Sequence, residues 1–181
     1  MQFKLLIASA GMLAVSSVHA AFNLTDVIGD IGDVASLAGE VVTLFDNLDI
    51  TTILSSAPKI IDNISQIVTI ITTDIGEIDG DSGDDNSTSY STADETDACG
   101  GLETFLESVG QIADSVAGKI DIVSGTPFSG AIGDIITSIK DGVDDFGSKI
   151  LDLVPSCGDS TSSYSLESVS ASFDTCLKEL S

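Results

Sequence analysis

Arginine and tryptophan are absent from the 181-residue sequence, and it contains a single histidine, His19. Histidine is the usual base of a serine or cysteine nucleophile and the commonest nitrogen ligand of zinc or copper. Because His19 lies in a segment with the features of a signal peptide, conventional triads are excluded from the mature chain. A catalytic pair of carboxylates, as in glycosidases, is not excluded by the composition. However, two tyrosines and no tryptophan offer few flat surfaces for sugar rings. We predict a noncatalytic protein with no catalytic residue, no metal site and no cofactor.

Basic side chains are scarce, with six lysines against 29 acidic residues and a formal net charge of −23. A surface of this charge repels the phosphates of nucleic acids and anionic membranes, so we predict no nucleic-acid partner. The acidic run at 79–85 does not form a calcium-binding EF-hand loop. Gly83 stands where that loop needs a ligand, and Asp84 stands where it needs glycine. We interpret the run as a solvated loop.

Long apolar runs are also missing after the first twenty residues. Residues 1–20 combine a lysine, a short apolar run and a small-residue end, which is typical of a secretory signal peptide. We therefore predict a secreted protein, extracellular or in the cell wall, with one helical domain at 21–181 and no transmembrane segment. Sequons at Asn23, Asn63 and Asn86 are candidate glycosylation sites in that compartment.

The remaining apolar residues recur at alternating spacings of three and four, which is the pattern of one stripe on a helix. This pattern predicts helices at about 24–48, 51–78, 99–123, 131–154 and 165–180. Residues 79–97 contain no large aliphatic side chain and seven acidic groups, which predicts a flexible linker. The expected fold is all-α, an antiparallel bundle of about five amphipathic helices divided two plus three by the acidic linker.

Three cysteines, an odd number, predict one disulfide and one leftover thiol, or a pairing between molecules. A hairpin of the helices at 99–123 and 131–154 brings Cys99 and Cys157 to the same end, so we favour that pair. The alternative, Cys157 with Cys176, requires the intervening loop to fold back. Cys176 lies on the apolar stripe of the last helix, where a cysteine behaves as a small buried hydrophobe.

Hydrophobic residues make up 43% of the sequence, and several occur as doubled pairs such as Ile60 and Ile61. A doubled position widens the stripe beyond the needs of a narrow helix seam. The surplus indicates either a generous core or an apolar cavity between helices that can also open onto a hydrophobic surface. The stripes of the central hairpin give the candidate ligand-binding residues, which are Val109, Ile112, Val116, Ile136, Ile139 and Phe146.

A signal peptide, two long aliphatic stripes, a linker, a hairpin ending in FGSKILDLVP (146–155) and a final helix with Phe173 follow one another along the chain. This layout resembles the fungal hydrophobic surface-binding protein A and cell-wall galactomannoprotein family. The chain departs from that pattern in its three cysteines and its long acidic linker. The resemblance implies an all-helical, secreted or wall-associated protein that adsorbs to hydrophobic surfaces, with some members enclosing fatty acids.

We therefore expect a secreted, noncatalytic protein that binds hydrophobic surfaces or lipid and fatty-acid chains through apolar helix faces or an interhelical cavity. The alternative is a structural or interaction protein of the cell wall or host interface, with no small ligand. In that case the apolar stripes would only form a core.

Overall fold

The structure, a computed structural model, describes residues 24–81, 90–159 and 164–180. Within these ranges the chain forms six α-helices, one 3-10 helix and no strand, which confirms the predicted all-α bundle. The α-helices are α1 (Leu24–Asp46), α2 (Ile53–Asp81), α3 (Thr92–Ala117), α4 (Ile120–Ser124), α5 (Ser129–Leu153) and α6 (Leu166–Leu180). The predicted signal peptide and the sequons at Asn23 and Asn86 lie outside the described residues.

The helices on either side of the predicted linker are longer than expected, so the range 79–97 was too wide at both ends. At one end, α2 continues to Asp81. At the other, α3 starts at Thr92 because Ser91 and Asp94 form a capping box. The Asp94 backbone N–H donates to the Ser91 hydroxyl at 3.2 Å, and the Ser91 N–H donates to the Asp94 carboxylate at 3.1 Å.

The helix predicted at 99–123 is broken at Gly118 and Lys119 into α3 and the short α4. The interruption lies where α3 reaches the end of α1, at Gly118, a poor helix former, and Lys119, whose φ of −124° and ψ of 12° are not helical. The Lys119 ammonium donates to the backbone carbonyls of Asp46, at 3.0 Å, and Leu48, at 3.2 Å. The Asp46 carbonyl lies at the end of α1 and that of Leu48 just beyond it, so a cation there stabilises the end of α1.

The five long helices close into a ring in the order α1, α2, α5, α6, α3, and α3 returns to α1. The pairs α1–α2 and α5–α6 are antiparallel, as expected for successive helices. The other three pairs are parallel. In α2 and α5, for example, Ile71 lies beside Gly142, and Asp79 contacts Lys149 about two turns further along both helices.

The sequence predicted that α3 and α5 pack against each other as a hairpin. In the structure, α6 packs between them on one side of the ring. Cys99 and Cys157 nevertheless lie at one end of the ring and form a disulfide with a Cα–Cα distance of 4.9 Å, the pairing favoured from the sequence. Cys176 is a free, fully buried thiol, and it donates to the Ala113 carbonyl at 3.3 Å.

Two glycines allow the chain before α6 to lie flat on the bundle. The ring of Tyr164 covers Gly110 on α3, and the side chain of Leu166 covers Gly147 on α5. A Cβ atom at Gly110 would stand 2.4 Å from the Tyr164 ring, and one at Gly147 would stand 2.8 Å from Leu166. The Tyr164 hydroxyl then donates to Asp114 at 3.0 Å, which fixes the ring in place.

We predict that Gly110→Ala destabilises the protein by about 1–3 kcal/mol, because the added methyl group overpacks the contact with Tyr164. Gly133→Ala on α5 is the matched control, since no atom lies within 4 Å of a Cβ added there. That variant should gain about 0.5–1 kcal/mol from helix propensity. Urea unfolding followed by circular dichroism measures both. Equal effects of the two substitutions would contradict the close packing of Tyr164.

Candidate functional site

The six ligand-binding candidates all lie in the interior of the ring. Val109, Ile112 and Val116 on α3 are fully buried, as are Ile136 and Ile139 on α5. The sixth, Phe146, is 1% exposed, and its ring faces that of Phe105 across the interior with the centroids 4.8 Å apart. The stripes of α3 and α5 thus meet in one apolar region, enclosed by the remaining helices.

The other three long helices contribute to the same interior, although the candidate set omitted them. Their stripes have the same spacing as those of α3 and α5, so the sequence signal was present. The prediction missed them because it treated α3 and α5 as a central hairpin and not as two members of a ring. The contributions include Val34, Val41 and Phe45 from α1, Ile60, Ile64 and Ile67 from α2, and Val169, Phe173 and Cys176 from α6.

Asp74 is the one polar or charged side chain buried among the described residues, with 2% of its surface exposed. It continues the buried stripe of α2 between Ile71 and Ile78, a place that hydrophobicity alone would assign to Ile75, which is only half-buried. The Oδ1 atom of Asp74 has no hydrogen-bond partner. A buried polar atom without a hydrogen bond lowers the stability of a fold by about 1–3 kcal/mol, so the surroundings of this side chain are unfavourable for it.

The surroundings of Asp74 raise its pKa from 3.8 to about 7. Burial is the largest cause, because it disfavours the charged form. Next come the charge of Asp30 on α1, a hydrogen bond shared with that carboxyl, and the charge of Glu77. On the neighbouring α5, Lys149 is paired with Asp79 and Asp145.

A cavity of about 210 Å³ opens beside the disulfide, at the end of the ring where α3 and α6 begin and α5 ends. Its lining is largely apolar and includes Leu102, Leu106, Leu151 and Leu166. A larger groove of about 510 Å³ lies on the outside of α1 and α2, but its walls carry charged side chains. There the half-buried sequon residue Asn63 donates to Glu40 at 3.0 Å.

Two large apolar side chains are exposed at the opposite end of the ring. Ile50 is 82% exposed in the turn between α1 and α2, and Leu54 is 67% exposed in the first turn of α2. The turn itself is ordered by Asp49, whose carboxylate accepts from the backbone N–H groups of Thr51 and Thr52. The Thr51 hydroxyl also donates to this carboxylate, at 2.6 Å. That hydrogen bond, followed by the two from the backbone, favours the charged form and lowers the pKa of Asp49.

No protein-family model matches the chain, and no curated protein matches it. Among solved structures, the fold is similar to the crystal structure of AfMP4p, a fungal mannoprotein, in complex with palmitic acid. The TM-score is 0.65 over 88% of this chain and all of that chain, with 12% sequence identity. The likeness is one of fold. None of the helices in the described ranges is long and apolar enough to cross a membrane.

We predict that Asp74→Asn flattens the dependence of stability on pH. In the native protein Asp74 keeps its proton to about pH 7, whereas the unfolded chain loses it near 3.8. The folded state therefore binds more protons, and the free energy of unfolding of the native protein falls as pH rises from about 4 to 7. Asparagine has no proton to lose, so the variant should be the more stable above pH 7, by on the order of 2–4 kcal/mol.

Thermal unfolding between pH 4.5 and 8 at constant ionic strength measures this difference. Asp62→Asn is the control, because it removes the same charge from an exposed position on the same helix. It should keep the slope of the native protein. A slope in Asp74→Asn equal to that of the control would contradict the raised pKa of Asp74.

Proposed function

We propose that the protein is a secreted, noncatalytic binder of long alkyl chains, including fatty acids, which it holds in the interior of the helix ring. The observation that carries the proposal is the interior itself, a continuous apolar core from five helices in which, among the described residues, Asp74 is the one polar or charged side chain. The similarity of fold to a protein with bound palmitic acid supports it. The layout of the sequence supports a place among the hydrophobic surface-binding and galactomannoprotein family, in the extracellular space or the cell wall.

The cavity beside the disulfide is the entrance that suits an alkyl chain. Its volume of about 210 Å³ is below the roughly 300 Å³ typical of the smaller ligand sites, so a long chain must extend beyond it. Leu102 and Leu106 separate the cavity from the interior, and both are buried. A chain that displaces them reaches Val109 and Phe146, so binding requires the helices to part.

Burial of an alkyl chain supplies part of the free energy for that movement. Burial of each CH₂ group contributes about 0.8 kcal/mol, so the methylenes of a C16 chain contribute roughly 11 kcal/mol. A micromolar complex corresponds to about 8 kcal/mol. The few kcal/mol that remain must cover both the parting of the helices and the lost freedom of the bound chain. Where side chains separate, the dispersion attraction between them is replaced by attraction to the alkyl chain, because the interaction is not directional.

We predict that delipidated protein binds a fluorescent fatty acid at micromolar concentration and that Leu106→Trp lowers its affinity at least tenfold. The larger side chain fills the cavity through which the alkyl chain enters. Leu44→Trp is the matched control, because Leu44 lines the charged groove on α1 and α2. Fluorescence titration measures the affinities, with circular dichroism to verify folding.

The control variant should bind as the native protein does. If the folded native protein takes up no fatty acid, the proposal is wrong and the structural role without a small ligand is favoured. If Leu44→Trp blocks uptake and Leu106→Trp does not, the ligand enters by the outer groove.

A second function, adsorption to hydrophobic surfaces, is favoured by Ile50 and Leu54. Exposed large apolar side chains at a helix turn are removed from water when the protein meets an apolar surface. The turn is held by Asp49, so little conformational freedom is lost on adsorption. Adsorption at this end leaves the disulfide end of the ring, with its cavity, facing the solution.

We predict that the double substitution Ile50→Asn and Leu54→Asn weakens adsorption to an alkyl-coated surface at least fivefold and leaves fatty-acid affinity unchanged. Ile50→Val with Leu54→Val is the control, because it keeps both positions apolar. A quartz-crystal microbalance measures the adsorbed mass. Full adsorption of the asparagine variant would place the contact surface elsewhere on the molecule.

A further inference from the structure

The polar atom inside the apolar ring indicates which headgroup an alkyl ligand would carry. Asp74 occupies a place in the buried stripe of α2 where every other member is apolar. Its Oδ1 atom accepts no hydrogen bond although only 2% of the side chain is exposed. A buried acceptor of this kind requires a donor, and the described residues supply none to it.

Asp74 lies at the same end of the ring as the cavity beside the disulfide. Ile71, one turn earlier on α2, contacts Gly142, and Asp79 further along α2 contacts Lys149. Asp74 is therefore level with Asp145 and Phe146 on α5, between one and two turns inside Leu151, which lines the cavity. We expect an alkyl chain that enters this end with its tail first to leave its head near this level.

The groups that face Asp74 make the region unfavourable for a negative headgroup. On α1 it faces the Asp30 carboxyl, and Glu77 on its own helix adds a second negative charge. On α5, the ammonium of Lys149 is paired with Asp79 and Asp145. A carboxylate brought to this place would add a like charge and would offer Asp74 no donor.

We propose, on the basis of the alkyl-chain function above, that the interior selects chains whose head donates a hydrogen bond to Asp74, as a long-chain ammonium or alcohol does. Both heads satisfy the unpartnered Oδ1 atom. The ammonium also compensates the charge of the Asp30 and Asp74 pair when that pair is ionised. Ionised fatty acids are the weaker ligands of this chain.

The test compares hexadecylamine, hexadecanol and palmitate at pH 8, each displacing a fluorescent fatty acid below its micelle concentration. For the native protein we expect both the amine and the alcohol to bind at least tenfold more tightly than palmitate. Asp74→Leu should remove this preference and improve palmitate binding. Asp62→Asn, which removes an exposed charge from the same helix, should keep it and so controls for general attraction of amines to an acidic protein.

A second substitution covers the case in which Asp74→Leu does not fold. Asp74→Asn keeps a carbonyl acceptor but loses the charge, so it should weaken the amine about tenfold and leave the alcohol within about threefold. Palmitate binding as tight as that of the other two ligands, or a preference that persists without the Asp74 carboxylate, overturns the headgroup assignment and leaves the alkyl-chain function intact. Failure of all three ligands to bind the native protein overturns the alkyl-chain function itself.

Discussion

Five long helices, each with a single apolar stripe, remove all their stripes from water together when they face one common interior. That constraint accounts for the arrangement of this protein. Two adjacent helices such as α1 and α2 bury only part of their stripes against each other, and the ring closes because α5, α6 and α3 cover the rest. It also explains the parallel pairs, since the order of helices around the ring is set by which faces are apolar and not by which helices are joined by short loops.

Charge contributes little to holding this ring together. The two best-placed lysines, Lys140 and Lys149, form ion pairs with aspartates that are more than a third exposed, and pairs of that kind are worth at most about 1 kcal/mol. Stability therefore depends on apolar burial, together with the disulfide between Cys99 and Cys157. The proposed binding of an alkyl chain uses the same nondirectional interaction. An interior held by apolar packing can exchange part of that packing for a ligand, whereas a network of specific polar bonds could not.

The sequence predicted the helices and their buried faces well, because a period of three and four residues follows directly from helix geometry. It predicted the surroundings of those faces less well. Periodicity says that Val109 and Ile139 are buried but does not say which helix lies opposite, so the place of α6 between α3 and α5 was missed. At the break beside Gly118, Lys119 reaches the end of α1, a contact between residues more than 70 positions apart that periodicity does not indicate. The start of α3 could have been found, since Ser91 and Asp94 have the spacing of a capping box.

Asp74 shows the limit of the pattern most clearly, because hydrophobicity assigned its place to Ile75. The spacing of Ile67, Ile71 and Ile78 requires a buried residue at 74, whatever its chemistry. A carboxyl group there weakens the core, since burial and the Asp30 charge hold its pKa near 7 and one oxygen has no partner. Folding alone would favour leucine or isoleucine at this position, which are isolated from water at no electrostatic cost. A residue that contradicts an otherwise consistent core is the place where a requirement other than folding acts on the sequence. Under the proposed function, Asp74 is the buried polar or charged side chain of the described residues at which one alkyl headgroup would be distinguished from another.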